Sequence, residues 1–376
     1  MEVLKSITSQ TPFESVKEIL EKKGLVVIDY PNEDLYLVKY DKQYSDMMDP
    51  EVRLCRGLIV DKDANHLVCF PPEKSVSLSY FSDNAKDIIY EEFVDGTMIN
   101  IFFHNNEWHI STRSRLGAAC RFYSDKTFRV LFAESSVELD YSKLNKDCCY
   151  TMVLQHPENR IVTQYQEPSY VLVFARDLSD GVMDLDIYQV QKELQDNGLN
   201  IKVPKRYSFA SIKEARKFVE GCSYDVQGVI LKSNCMRSKI RNVSYNYVKQ
   251  LRGNTRNMKY IYYNLRKKGD VKEFLSYFPE HNDTFIEFQN ELHSVSRNLW
   301  ELYKKCYINK THDKLQTIPY EYRPICYELH GIYLNTRQKI SWDLVKSFVN
   351  NLPIPRQLFI VNYNKRNEHS ETNQTN

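Results

Sequence analysis

Glu91-Glu92-Phe93-Val94-Asp95-Gly96-Thr97 is the stretch on which the reading of the whole chain turns. An Asp-Gly pair alone signals a tight turn, because the aspartate caps nearby backbone and glycine accepts a positive φ. Its neighbours give it more weight. Before it stand Leu54-Cys55-Arg56-Gly57-Leu58-Ile59-Val60-Asp61 and Pro71-Pro72-Glu73-Lys74. After it stand Pro157-Glu158-Asn159-Arg160-Ile161-Val162, Gln227-Gly228-Val229-Ile230-Leu231-Lys232 and Lys239-Ile240-Arg241.

In order and spacing this set resembles the bacteriophage RNA ligase 1 family, ATP-dependent enzymes that reseal broken tRNA, along nearly the whole chain. In that family a Lys-x-Asp-Gly lysine attacks the α-phosphate of a nucleotide to give a covalent lysyl-nucleotide. Tyr40, Arg56, Gly57, Lys74, Asp95, Gly96, Asn159, Arg160 and Gly228 match the family pattern. The departures fall on the chemistry. The nucleophilic lysine matches Phe93, the ribose-holding glutamate matches Val153, and the metal-serving glutamate of the Glu-Gly motif matches Gln227. Of the two lysines in the last motif one is kept as Lys239, and the other is Arg241.

Phenylalanine has no lone pair, so no covalent step can run through position 93. Val153 offers a ribose no hydrogen bond, and Gln227 offers a cation a carbonyl oxygen without charge. No catalytic residue and no metal site are therefore expected. The resemblance implies a nucleotide- or phosphate-binding set of Tyr40, Arg56, Lys74, Phe93, Asp95, Gly96, Gln227, Lys239 and Arg241. Phe93 either stacks on a base or cap or fills the emptied pocket, and filling is the preferred reading.

Three functions stay open. The first is a ligase-derived pseudoenzyme that binds RNA, at an end, cap or nucleotide, with protein partners in an RNA-processing or translation assembly. The second is a working ATP-dependent RNA ligase, the one reading that calls for ATP and Mg²⁺. The third is a structural scaffold.

From Arg237 to Lys268 the chain carries ten basic residues and no acid, while its net charge is only +2. Tyrosines are interleaved, a pattern that suits phosphate neutralisation with base stacking. Lys249, Arg252, Arg256, Lys259, Tyr260 and Tyr263 are the expected RNA contacts, and Arg113, Arg115 and Arg121 extend the patch. The alternative is a solvated face backed by core tyrosines.

The 376 residues, 42% hydrophobic and 27% charged, suit a globular protein of two or three domains. Nine cysteines without a Cys-x-x-Cys pair read as free thiols in a reducing compartment. Acidic residues near the N-terminus argue against a targeting peptide, and no apolar run reaches membrane-spanning length. A cytoplasmic location is expected. The abundance of Asn, Lys, Ile and Tyr fits an AT-rich, viral genome.

Turn and cap signals predict an α+β class for residues 1–253, built of antiparallel sheets with helices. The expected elements are a helix from Thr11-Pro12 to Gly24 and hairpins at Leu25–Tyr40, Leu58–Phe70 and Met98–Thr112. Further strands are expected at Tyr150–Leu154, Ile161–Tyr165, Tyr170–Arg176 and Gln227–Lys232. Two helices are expected between the last two, one capped by Asp184 and one by a Ser211/Glu214 capping box. Residues 254–363 read as an all-helical domain, led by the apolar stripe Phe285, Phe288, Leu292, Val295, Leu299, Leu302 and Cys306. Residues 364–376 read as a polar, disordered tail.

Overall fold

The computed structural model describes residues 4–5, 7, 11–82, 87–233, 236–311 and 318–372, with the backbone alone for 364–372. Two compact units divide the chain, Met1–Arg252 and Gly253–Asn376.

In the first unit, Pro12 precedes helix α1 (Phe13–Lys22), whose Val16 and Leu20 are fully buried. They pack on Tyr36, Val38 and Leu58 of an antiparallel sheet formed by β1 (Leu25–Tyr30), β2 (Leu35–Tyr40), β3 (Arg56–Asp61) and β4 (His66–Cys69). Asp49 caps a short helix α2 (Pro50–Leu54) that leads into β3. The other face of this sheet, with Leu35, Leu37 and Ile59, packs against Phe102 and Cys149 of a second sheet.

That second sheet contains, as it is met along the chain, β6 (Thr97–His104), β7 (Glu107–Thr112), β8 (Arg115–Leu116), β9 (Cys148–Gln155), β10 (Ser169–Asp177) and β11 (Met183–Leu185). Their spatial order is β11-β10-β9-β6-β7-β8. Helices α3 (Phe128–Ser135) and α4 (Ile187–Asp196) cover it through Leu131, Phe132, Val190 and Leu194. A third sheet, in the order β12-β5-β13-β14, joins β5 (Ile89–Glu92), β12 (Arg206–Tyr207), β13 (Gly228–Ser233) and β14 (Met236–Arg241). Helix α5 (Ile212–Glu220) seals it, burying Ile212, Ala215 and Val219 against Val229, Leu231 and Ile240. Burying an Ile or Val side chain contributes about 1.5–3 kcal/mol toward holding this helix on the sheet. Helix α6 (Val243–Arg252) closes the unit.

Two expectations need correction. Ile161–Tyr165 is an irregular loop, because the amides of Val162 and Thr163 donate to the Asp95 carboxylate at 3.3 and 3.0 Å instead of to a strand. The cap of α4 is Asp186, which accepts from Tyr188 N–H, while Asp184 is bound to Arg176 at 2.6 Å. The Ser211 cap is as expected: its hydroxyl accepts from Glu214 N–H, and Glu214 reaches back to Ala210 N–H.

The second unit is helical among the described residues, with α7 (Met258–Lys268), α8 (Val271–Tyr277), α9 (Asn282–Tyr303), α10 (Arg323–Thr336), α11 (Trp342–Asn351) and α12 (Ile354–Thr372). The α9 stripe buries Phe285, Leu292, Val295 and Leu299. Helix α12 runs to Thr372, so backbone helix occupies most of the span read as a disordered tail, and residues 373–376 lie outside the described residues. The class is α+β, followed by a largely helical region, as expected. No helix among the described residues is long and apolar enough to cross a membrane.

Candidate functional site

The Asp-Gly turn carries the chain from β5 in the third sheet to β6 in the second, and a cleft of about 750 Å³ opens beside it. Gly96 has φ 144°, and a Cβ there would run into the Leu154 carbonyl oxygen and the Val153 side chain of β9. Gly228, at φ 136°, lies as tightly under the Ile240 carbonyl of β14. Both glycines are required by backbone approach between strands, independently of any ligand.

Asp95 is a tie and not a wall of the cleft. It is buried, its carboxylate accepts from Val162 N–H, Thr163 N–H and, at 2.6 Å, the Tyr245 hydroxyl, and it is absent from the cleft lining. The expected nucleotide contact through Asp95 is therefore replaced by a structural one that fastens the 160–165 loop and helix α6 to the turn. The Asn159-Arg160 pair is likewise turned inward. Asn159 Nδ2 donates to Thr97 Oγ1 at 3.0 Å, and Arg160 Nε donates to the Val162 carbonyl at 3.0 Å.

Tyr40, Arg56, Lys74, Phe93, Gly96, Gln227, Lys239 and Arg241 all line the cleft. So do Arg113 and Lys249 from the expected RNA set, and Lys42, Lys232 and Arg237, which the sequence reading left out of the site. Nine cationic side chains thus face two carboxylates, Glu91 and Glu92, among the described residues. Both carboxylates are engaged. Lys232 Nζ lies 2.6 Å from Glu91, and Glu92 accepts from Lys205 N–H at 3.3 Å. Strand alternation puts Arg237, Lys239 and Arg241 on one face of β14, and this period-two Arg-x-Lys-x-Arg pattern was the signal that could have found Arg237.

Phe93 is half-buried, with Lys239 Nζ 4.5 Å and Arg241 Cζ 6.0 Å from its ring centre. Burial, then the charges of Arg237, Arg56, Arg241 and Lys249, push the Lys239 ammonium down to about 6. Arg56, partly buried and beside Arg237, is pushed down to about 10 by desolvation and then by that charge. At the back of the cleft Val153 joins Val94 and Val171 in an apolar cluster, edged by Met98 and Val173. These residues present no acceptor to a ligand hydroxyl. Gln227 is buried, and its backbone carbonyl accepts from Asn242 N–H at 3.1 Å.

Among the described residues Glu91 and Glu92 are the carboxylates that line the cleft, and each accepts from a donor at one oxygen. Glu134, His156 and Glu158 also converge, outside the cleft, within 4.8 Å of one another. There Lys126 Nζ sits 3.0 Å from Glu134 and 2.6 Å from Glu158, so an ammonium occupies the place a metal would take.

The basic stretch separates into different environments. Arg252 is buried, its guanidinium 4.3 Å over the Tyr123 ring, and Tyr263 is 1% exposed. Both, expected as RNA contacts, are buried in the structure. Lys259 is ion-paired to Glu291 at 2.5 Å and bonded to Asn362, so its charge is spent inside the second unit. Arg256 and Tyr260 are exposed on the second unit, and Arg115 is exposed on the first but outside the cleft lining.

No family model matches the chain. Over 290 residues it is 26% identical to a protein of Autographa californica nuclear polyhedrosis virus named "Putative bifunctional polynucleotide kinase/RNA ligase", a match that spans 70% of this chain and 40% of that one. Over 98 residues it is 31% identical to an RNA ligase of Rhodothermus phage RM378, spanning 23% of this chain and 22% of the other. Over these stretches the chain is similar to proteins named as RNA ligases. It spans well under half the length of these relatives. Among solved structures, an archaeal ATP-dependent RNA ligase superposes with a TM-score of 0.48 at 14% identity, over 93% of this chain and 97% of that one. The RNA ligase relationship fits the motif order, while position 93 carries no amine.

Proposed function

We propose that this chain is an RNA-ligase-derived pseudoenzyme whose cleft holds the phosphate of an RNA end, cap or nucleotide without forming a covalent adduct. The observation that carries the reading is the imbalance of the cleft: nine cations, two engaged carboxylates, and a phenylalanine where the family has its nucleophile. Cations gathered on low-dielectric walls attract phosphate even where chemistry is lost. RNA as the natural partner is supported by the RNA ligase relatives and by the exposed Arg256 and Tyr260 on the helical unit. A cytoplasmic setting with reduced thiols suits such a role, as does a place among the proteins of an RNA-processing assembly.

The test is a titration of a short single-stranded RNA bearing a 5′-phosphate against the same RNA bearing a 5′-hydroxyl. Tighter binding of the phosphorylated strand supports the reading. Equal binding of both would refute the cleft as an end-binding site.

A further inference from the structure

Among the lysines that line the cleft, Lys232 is held by Glu91 at 2.6 Å, whereas Lys239 lies among cations. Among the described residues no carboxylate and no hydrogen-bond acceptor holds Lys239 Nζ, and its recorded contact is the face of the Phe93 ring. The groups that face it come from three elements and are all cationic: Arg56 on β3, Arg237 and Arg241 on β14, and Lys249 on α6. It is partly buried on the wall of a cleft large enough for a nucleotide-sized ligand.

An amine so placed is a nucleophile, because desolvation and neighbouring cations favour the free base that attacks carbonyl carbon. We propose that Lys239 captures aldehydes that also carry a phosphate, with the surrounding arginines and Lys249 holding the phosphate while the amine condenses with the carbonyl. The proposal rests on the cleft being a phosphate site. In the reaction the Lys239 nitrogen adds to the carbonyl carbon, both amine protons leave with the former carbonyl oxygen as water, and a carbon–nitrogen double bond remains. No oxidant, reductant or metal is consumed. The ligand is either a nucleic-acid end whose sugar has opened to an aldehyde or a small phosphorylated aldehyde. The depressed ammonium of Lys239 supports the assignment, since most of this side chain is free base at neutral pH while surface lysines are almost wholly protonated.

Two probes separate the sources. One is pyridoxal 5′-phosphate, and the other is a short 5′-phosphorylated RNA whose 3′-terminal ribose has been opened by periodate. Each is incubated with the whole chain at pH 7, reduced with borohydride and mapped by peptide mass spectrometry, with and without inorganic phosphate. The expected result is labelling of Lys239 faster than of exposed lysines by about a hundredfold, slowed by phosphate and lost in Lys239→Arg. Labelling by the RNA assigns the activity to nucleic-acid ends, and labelling by pyridoxal phosphate alone assigns it to small phosphates. Label spread evenly over surface lysines, or absent from Lys239 with both probes, overturns the proposal. If calorimetry on the same preparation still shows phosphate binding, the capture is wrong and the cleft reading stands; if phosphate binding is also absent, the cleft reading falls with it.

Discussion

Lys239 Nζ stands 4.5 Å from the centre of the Phe93 ring, so the cleft holds an amine beside position 93. The amine is delivered from β14, one strand removed from the Asp-Gly turn, across the pairing of Ile230 with Lys239 and of Ile230 with Glu91. This placement fixes what substitutions should do.

Incubation with radiolabelled ATP or GTP, followed by denaturing electrophoresis, should show no labelled band. Phe93→Lys alone should also fail. It places a second amine beside one already forced toward its neutral form, while Val153 and Gln227 leave ribose and metal unsupported. A labelled band from the unaltered chain would contradict the pseudoenzyme reading.

Asp95→Ala should destabilise the first unit without any ligand present. It strands the amides of Val162 and Thr163 and the hydroxyl of the buried Tyr245, and each unsatisfied buried donor costs about 1–3 kcal/mol. Asp95→Asn, which keeps an acceptor oxygen, should lose less. A melting temperature unchanged in Asp95→Ala would show that the tie is unimportant.

Lys239 also makes stability depend on pH. Its folded pKa of about 6 lies far below that of an unfolded lysine, so between these values the unfolded chain binds a proton that the folded chain does not. The penalty is greatest at and below about pH 6 and fades as pH rises toward that of a free lysine. Lys239→Met should therefore melt higher than wild type at pH 7, with the gap closing by about pH 10. A gap that stayed constant across this range would sink the assignment.

The basic stretch should divide by burial. Tyr263→Ala removes a ring buried in the second unit and should cost about 3–5 kcal/mol by analogy with other aromatic truncations. Arg252→Ala, which uncovers the Tyr123 ring, should also lower the melting temperature. Arg256→Glu and Tyr260→Ala should leave the fold intact and weaken RNA binding, as both side chains are exposed. Thermal melts paired with RNA titration distinguish the two outcomes residue by residue.

Local signals carried most of the fold. The Ser211/Glu214 box, the hairpins at Leu25–Tyr40 and Met98–Thr112, and the α9 stripe all depend on residues a few positions apart, and such patterns are printed in the sequence. Long-range pairings were not legible. That β5 joins β12 and β13 while β6 joins β9 follows from packing between distant segments. The Ile161–Tyr165 error has this origin, since its apolar alternation looks like a strand until a buried carboxylate from residue 95 claims its amides. Motif and cleft coincide at Arg56, Lys74, Lys239 and Arg241, which line one cleft although they come from separate segments of the sequence. Arg252 and Tyr263 sit on the inward faces of α6 and α7, and Asp95 spends its charge on its own scaffold, placements that neither residue spacing nor motif match reveals.

The central claim is that the cationic cleft of the first unit, and not the basic stretch as a whole, binds RNA phosphate. The direct measurement is the affinity of a 5′-phosphorylated single-stranded RNA at several salt concentrations, for wild type and for a triple variant carrying Arg237→Gln, Arg241→Gln and Lys249→Gln. Each phosphate contact on a single strand contributes about −0.7 to the slope of log affinity against log salt, so losing three should flatten the slope by about 2 while the protein stays folded. An unchanged slope and affinity in the folded triple variant would contradict the account.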